Sequence, residues 1–170
     1  MTTIGENKLS EMPAKIQKGV YAELPKLLEY VKAGAIEKEM GVSSGWISMR
    51  LNRTQNGKYS VRKFNAADMA KLNLSIWKLA EKLMTVNVPY SPDRATCSAY
   101  VKISLKDVFV SVLAENKLGW TKTELAYRTS TGASMKYRPQ FTEEDLEKLT
   151  IGVRELAVRM MSYEYFLDQE

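Results

Sequence analysis

Apolar residues recur along this chain at helical spacing. Leu24, Leu27, Leu28 and Val31 fall at i, i+3, i+4 and i+7, the stripe of an amphipathic helix. Met69, Leu72, Ile76, Leu79 and Leu83 make a second stripe, and Leu146, Leu149, Val153, Leu156 and Met160 a third. Asn65 and Thr142 stand just ahead of these two, where a side-chain oxygen takes up the free amides of a first helical turn, and Asp145 follows Thr142 by three positions. The pattern predicts an all-α fold. The stretches TQNGKYSVRK and TSTGASMKYRPQ ahead of the two helices read as loops, and Asn56-Gly57 marks a place for a short β-wing.

The second and third stripes belong to a longer internal repeat. Phe64–Met84 matches Phe141–Met161, with identities at Phe64/Phe141, Asp68/Asp145, Lys71/Lys148, Leu72/Leu149, Leu79/Leu156, Ala80/Ala157 and Met84/Met161. Upstream, Gly45-Trp46 matches Gly119-Trp120, Leu51 matches Leu125 and Lys58-Tyr59 matches Lys136-Tyr137. The spacing drifts from 74 to 78 residues, so the loops differ in length. The chain reads as a duplication: a loosely held arm over 1–19, a first unit over 20–86, a linker over 87–97 carrying Pro89 and Pro92, and a second unit over 98–170. Units this small bury little core alone, so they are expected to pack together or to form a homodimer.

Between the first stripe and the second lies Ala35–Asn52, AIEKEMGVSSGWISMRLN. Gly41 can take the positive φ that reverses the chain, with Met40 and Val42 filling the elbow. Ser43 or Ser44 can cap the next helix, and Ile47 is its inward residue. This segment resembles the helix-turn-helix of phage-repressor-like regulators of the lambda-repressor type. With the basic loop and FNAADMAKLN, the whole first unit also resembles a family of short uncharacterised bacterial and phage helix-turn-helix proteins. The resemblance implies two tandem helix-turn-helix units that bind duplex DNA, the second helix of the motif lying in a major groove. Ser44, Gly45, Ser48, Met49 and Asn52 would then face base edges, with the capping Ser43 beside them at the interface, and Arg50 and Arg53 would face phosphates or purine edges. Two positions depart from the pattern: Glu37 stands where a small residue is usual, and Arg50 where an inward apolar residue is usual. In the second unit LGWTKTELAYRT lacks the Gly-Val elbow and the Arg-Leu-Asn string.

The net charge is +5, unevenly placed. Gly41–Ala67 holds five basic residues and no acid, and Asn116–Thr142 five basic residues against Glu124 alone. Lys58, Tyr59, Arg62 and Lys63, and in the second window Lys117, Lys122, Arg128, Lys136 and Arg138, are therefore candidate contacts to nucleic-acid phosphates. Trp46 and Trp120 read first as packing residues, and Tyr59 and Tyr137 stand between packing and backbone contact. The acidic C-terminal stretch, eight acids against three bases from Glu143 onward, reads as a solvated helix face.

The chain has no histidine, which excludes His-dependent nucleophilic triads and the usual zinc sites. It has no Gly-rich phosphate loop, and no enzymatic activity, metal or small-molecule cofactor is expected. The single Cys97 makes no internal disulfide, and no apolar run spans a membrane, in keeping with a cytoplasmic protein. The expected role is a transcriptional regulator on duplex DNA. An interaction or assembly module on the same scaffold is the alternative, and single-strand binding through exposed aromatics a third.

Overall fold

The second and third apolar stripes become the two longest of the described helices, α4 (Ala66–Met84) and α8 (Glu143–Ser162). The first stripe ends early, with Leu24 and Leu27 in a helix, Leu28 at its C-cap and Val31 in a bridge beyond it. Each of the two long helices opens on a reciprocal cap of the kind that satisfies two free donors at once. Asn65 and Asp68 exchange bonds of 2.9 Å, and Thr142 and Asp145 exchange bonds of 2.8 and 3.1 Å. The computed structural model describes residues 14–52, 54–55, 58–59 and 62–168, without the side chains of 54–55 and 58–59. Among them the remaining helices are α1 (Val20–Leu27), α2 (Ala33–Met40), α3 (Trp46–Leu51), α5 (Arg94–Ser104), α6 (Val110–Leu118) and α7 (Lys122–Thr129). The fold is mostly helical.

Among the described residues two small sheets supplement it. Strand β2 (Thr54–Gln55) pairs antiparallel with β3 (Lys58–Tyr59), at the place of the expected wing. Strand β1 (Ile16–Gly19) pairs in parallel with β4 (Tyr163–Phe166), which a purely helical reading does not contain. The end of the expected loose arm is thus held against the far end of the chain. Asp168 reinforces the junction: its carboxylate accepts from the amides of Tyr21 at 2.8 Å and Ala22 at 3.1 Å, capping α1, whose own N-cap Gly19 has no side chain to offer.

The halves α1–α4 and α5–α8 meet about a pseudo-two-fold axis. Val31 bridges Val108, 77 positions on, in antiparallel fashion. The Lys32 amide donates to the Asp107 carbonyl at 2.9 Å, and the Phe109 amide donates to the Tyr30 carbonyl at 2.8 Å. Exchanging each residue for the one 77 away turns the first bond into the second. Helices α4 and α8 pack antiparallel across the same axis. Asn73, early in α4, meets Tyr165 beyond the end of α8, while Thr150 of α8 meets Val88 beyond the end of α4. Core positions follow the same offset: Leu24 and Val101, Ile36 and Leu113, Leu72 and Leu149, Ile76 and Val153 are all buried in one shared core. Two halves that would each be marginal bury their apolar faces on one another.

The connection between the halves is shorter than the expected linker. Helix α5 begins at Arg94, with Asp93 as its cap, and Cys97 is buried within it. Residues 85–93 join the halves, and they are tied down: Val88 is buried and Arg154 donates to the Val86 carbonyl from Nε at 3.2 Å and Nη2 at 3.1 Å. Among the described residues no helix is long and apolar enough to cross a membrane, and no group of three or more Cys, Asp or Glu side chains converges as a metal site would.

Candidate nucleic-acid interface

Gly41 ends α2 with φ of 70°, and Val42 closes the turn through a 3.1 Å bond to the Glu37 carbonyl. The chain then enters α3, whose inward Ile47 is fully buried. Neither Ser43 nor Ser44 caps this helix; both are exposed. The N-cap is Gly45, at φ of 86°, and the free amides behind it point toward α2. There the buried Glu37 carboxylate accepts from Gly45 N–H at 3.2 Å and Ile47 N–H at 2.9 Å. A carboxylate at a helix N-terminus answers both the unpaired donors and the positive end of the helix. The departure from the pattern at Glu37 is therefore the device that seats α3 on α2.

In the second half, α6 ends at Gly119 with φ of 66°. Gly119 therefore corresponds to Gly41, 78 positions earlier, and not to Gly45 as the Gly-Trp pairs suggest. The elbow that seems missing from LGWTKTELAYRT is this glycine. Buried Ala114 takes the place of Glu37. With no carboxylate from the preceding helix, α7 caps itself: Thr121 Oγ1 accepts from Glu124 N–H at 3.2 Å, and Glu124 accepts from Thr121 N–H at 2.8 Å.

The tryptophans sit at different steps of the chain but reach the same packing. Trp46 lies 5.7 Å from Phe64 and Trp120 lies 5.7 Å from Phe141. Over each ring lies an arginine, Arg50 at 3.6 Å from Trp46 and Arg128 at 3.9 Å from Trp120. Arg50 also approaches Asp68 at 3.7 Å, with 16% of its side chain exposed. Arg50 was expected on phosphates or purine edges and Arg128 on phosphates; both are turned inward as stacking partners, the geometry a planar cation adopts on an aromatic face.

The remaining candidates divide clearly. Ser43, Ser44, Ser48 and Asn52 are exposed along α3 and its turn. Met49 is half-buried, and its sulfur accepts from Arg62 at 3.3 Å, which places the exposed Arg62 and its neighbour Lys63 beside α3. Arg53 and the side chains of Lys58 and Tyr59 lie outside the described residues. On the second half Lys122 is exposed at the start of α7. Arg138 is exposed over the Tyr127 ring at 4.6 Å, and Lys136 lies 5.8 Å from the ring of Tyr137, which is 91% exposed. Lys117 does not belong to this surface: it pairs with Glu155 and ties α6 to α8.

One organising residue was not anticipated. The Arg94 guanidinium donates to the carbonyls of Tyr127 at 2.8 Å, Pro139 at 3.1 Å and Arg138, fastening the end of α7 to the loop beyond it. That loop contains a short 3-10 helix, Ala133–Met135, in place of the β2–β3 hairpin of the first half. Nothing in the local pattern marks Arg94, because its partners lie 33 to 45 positions away.

No family model matches the chain, and no curated protein or solved structure matches it.

Proposed function

We propose that this chain binds duplex DNA through two tandem helix-turn-helix units and acts as a transcriptional regulator of the phage-repressor type. The observation that carries the reading is the construction around α3: a left-handed glycine turn, a short helix held on α2 by Glu37, and an outer face of Ser43, Ser44, Ser48 and Asn52 flanked by Arg62 and Lys63. Small polar side chains on such a helix reach base edges, while the flanking cations meet phosphates. The pseudo-two-fold relation of the halves gives a single chain the plan of a symmetric dimer, so α7 with Lys122 is the counterpart of α3 on the other half-site. A homodimer is not needed for two-site binding.

The test is a mobility-shift titration on mixed duplex DNA across a range of salt. Affinity should fall steeply with salt, because neutralised phosphates release counterions. Replacing Arg62 and Lys63 together by Ala should reduce the log–log slope by about one unit per phosphate contact removed. No retention of duplex at low salt overturns the reading. If single-stranded DNA is not retained either, the reading becomes a protein-interaction module, favoured by one feature: Leu74 and Ile151, equivalent positions on α4 and α8, are 54% and 47% exposed.

A further inference from the structure

The pseudo-symmetry also identifies where the halves have been made different. In the first half Lys82 of α4 pairs with Glu39 of α2. The corresponding residues 77 positions on are Arg159 of α8 and Asn116 of α6. The cation is kept and its carboxylate is replaced by a neutral amide. Arg159 has no ion pair among the described residues; its guanidinium lies 5.1 Å over the Tyr30 ring, and it lines two adjoining cavities of about 180 and 350 Å³.

The smaller cavity collects further cations. Lys18 stands 4.9 Å over the Tyr163 ring, and Lys26 is held by Glu23 at 3.1 Å. The nearby carboxylates are engaged, Glu23 with Lys26 and, in the larger cavity, Glu155 with Lys117. Among the described residues that leaves Lys18 and Arg159 as two positive charges without an ion pair, each on an aromatic wall. Tyr165 completes the wall, and burial pushes its hydroxyl well above the usual ionisation range, which keeps it a proton donor. The fold does not require this chemistry. At the equivalent places on the other side of the axis, Tyr163 and Tyr165 are answered by Val86 and Val88, and Lys26 by the exposed Ile103, so neither the aromatic walls nor the cation recurs there.

We propose that this cleft, between α1, β4 and α8, binds a small phosphorylated molecule, with its phosphate on Arg159 and Lys18 and its body against Tyr30 and Tyr163. Arginine offers a phosphate two parallel donors, and a half-enclosed position strengthens the attraction over its value in bulk water. The cavities are at and below the small end of ligand pockets, about 300–1,000 Å³, which restricts the ligand to a compact one. Because the cleft joins α1 of the first half to α8 of the second, an occupant bears on how the halves sit together.

Calorimetry with phenyl phosphate and with inorganic phosphate, at fixed ionic strength on the full chain, tests the site. Saturable one-to-one binding is expected for phenyl phosphate, weaker binding for inorganic phosphate, and none for neutral phenol. Arg159→Met should weaken binding about tenfold or more. Asn116→Glu restores the carboxylate found in the other half and should do the same while leaving the melting temperature at or above that of the unaltered chain. Absence of saturable binding by either phosphate overturns the proposal. So does equal affinity in Asn116→Glu, or displacement of phenyl phosphate by duplex DNA, which would make the cleft a backbone contact.

Discussion

The side chain of Asn73 holds the backbone of Tyr165 from both sides, accepting its amide at 2.7 Å and donating to its carbonyl at 2.8 Å. Across the pseudo-two-fold axis Thr150 accepts the amide of Val88 at 3.2 Å. The segment that follows each of the two long helices is thus received by a polar side chain on the other. Asn73→Leu leaves two backbone groups of a half-buried strand unpaired and should cost about 1–3 kcal/mol. Thr150→Val, which removes one bond, should cost less. Urea unfolding of the two variants measures both, and an equal or reversed order would contradict the geometry.

Glu37→Ala should destabilise the protein by about 1–3 kcal/mol, because it strips the two amides at the head of α3 of their acceptor. Ile47→Ala, a cavity in the same region, should cost about 2–5 kcal/mol. Hydrogen exchange separates the two. The carboxylate variant should speed exchange at Gly45 and Ile47 first, before the amides farther along α3.

Arg50→Ala and Arg128→Ala each remove a cation from a tryptophan face, a loss of about 0.5–2 kcal/mol in stability. Their DNA affinity, measured on folded protein, should stay near that of the unaltered chain. Asn52→Ala should behave in the opposite way, with an unchanged melt and a loss of about 1–3 kcal/mol on the preferred duplex. A large affinity loss in Arg50→Ala with an unchanged melt would return that residue to the DNA surface.

The two-fold relation of the halves predicts inverted half-sites, one chain per site. The half-sites should be unequal, since the positions of Ser44 and Asn52 are taken by Lys122 and Ser130 in the second half. Selection from random duplex, followed by shift assays on inverted and direct arrangements, reads this out. Preference for a direct repeat would contradict the expectation while leaving duplex binding itself intact.

Asp93 caps α5 through the Thr96 hydroxyl at 2.7 Å and the Thr96 amide at 2.9 Å, which together hold its carboxyl below the usual carboxylate range. A depressed folded-state value means stability that is present above the unfolded value, about 3.9, and is lost as pH falls through the folded one. Stability of the unaltered chain should therefore drop below about pH 4, and Asp93→Asn should flatten part of that drop. An identical acid limb in the two proteins would sink this assignment.

Much of this architecture was legible in the amino-acid order because it is local. The stripes of α4 and α8 follow from side chains three and four residues apart, and the caps at Asn65 and Thr142 from partners three residues on. The repeat was visible for the same reason: core positions such as Leu72 and Leu149 are constrained by the helix face they occupy. The glycine turn at Gly41 and the inward Ile47 could also be read, since each depends on a few neighbouring residues.

What the tertiary structure decided lies at long separation. Whether Arg50 faces phosphate or Trp46 depends on where Phe64 and Asp68 stand, and a pattern along α3 does not contain them. The match of Gly45-Trp46 to Gly119-Trp120 misplaced the turn, because residue identity was visible and backbone φ was not. The arm and linker looked free because their partners are far along the chain: β4 pairs with Ile16–Gly19 from 147 positions away, and Thr150 accepts the Val88 amide from 62. The two-fold axis is of this kind as well. Duplication was written in the sequence, but its handedness in space was settled by which backbone amides, at Lys32 and Phe109, found carbonyls across the seam.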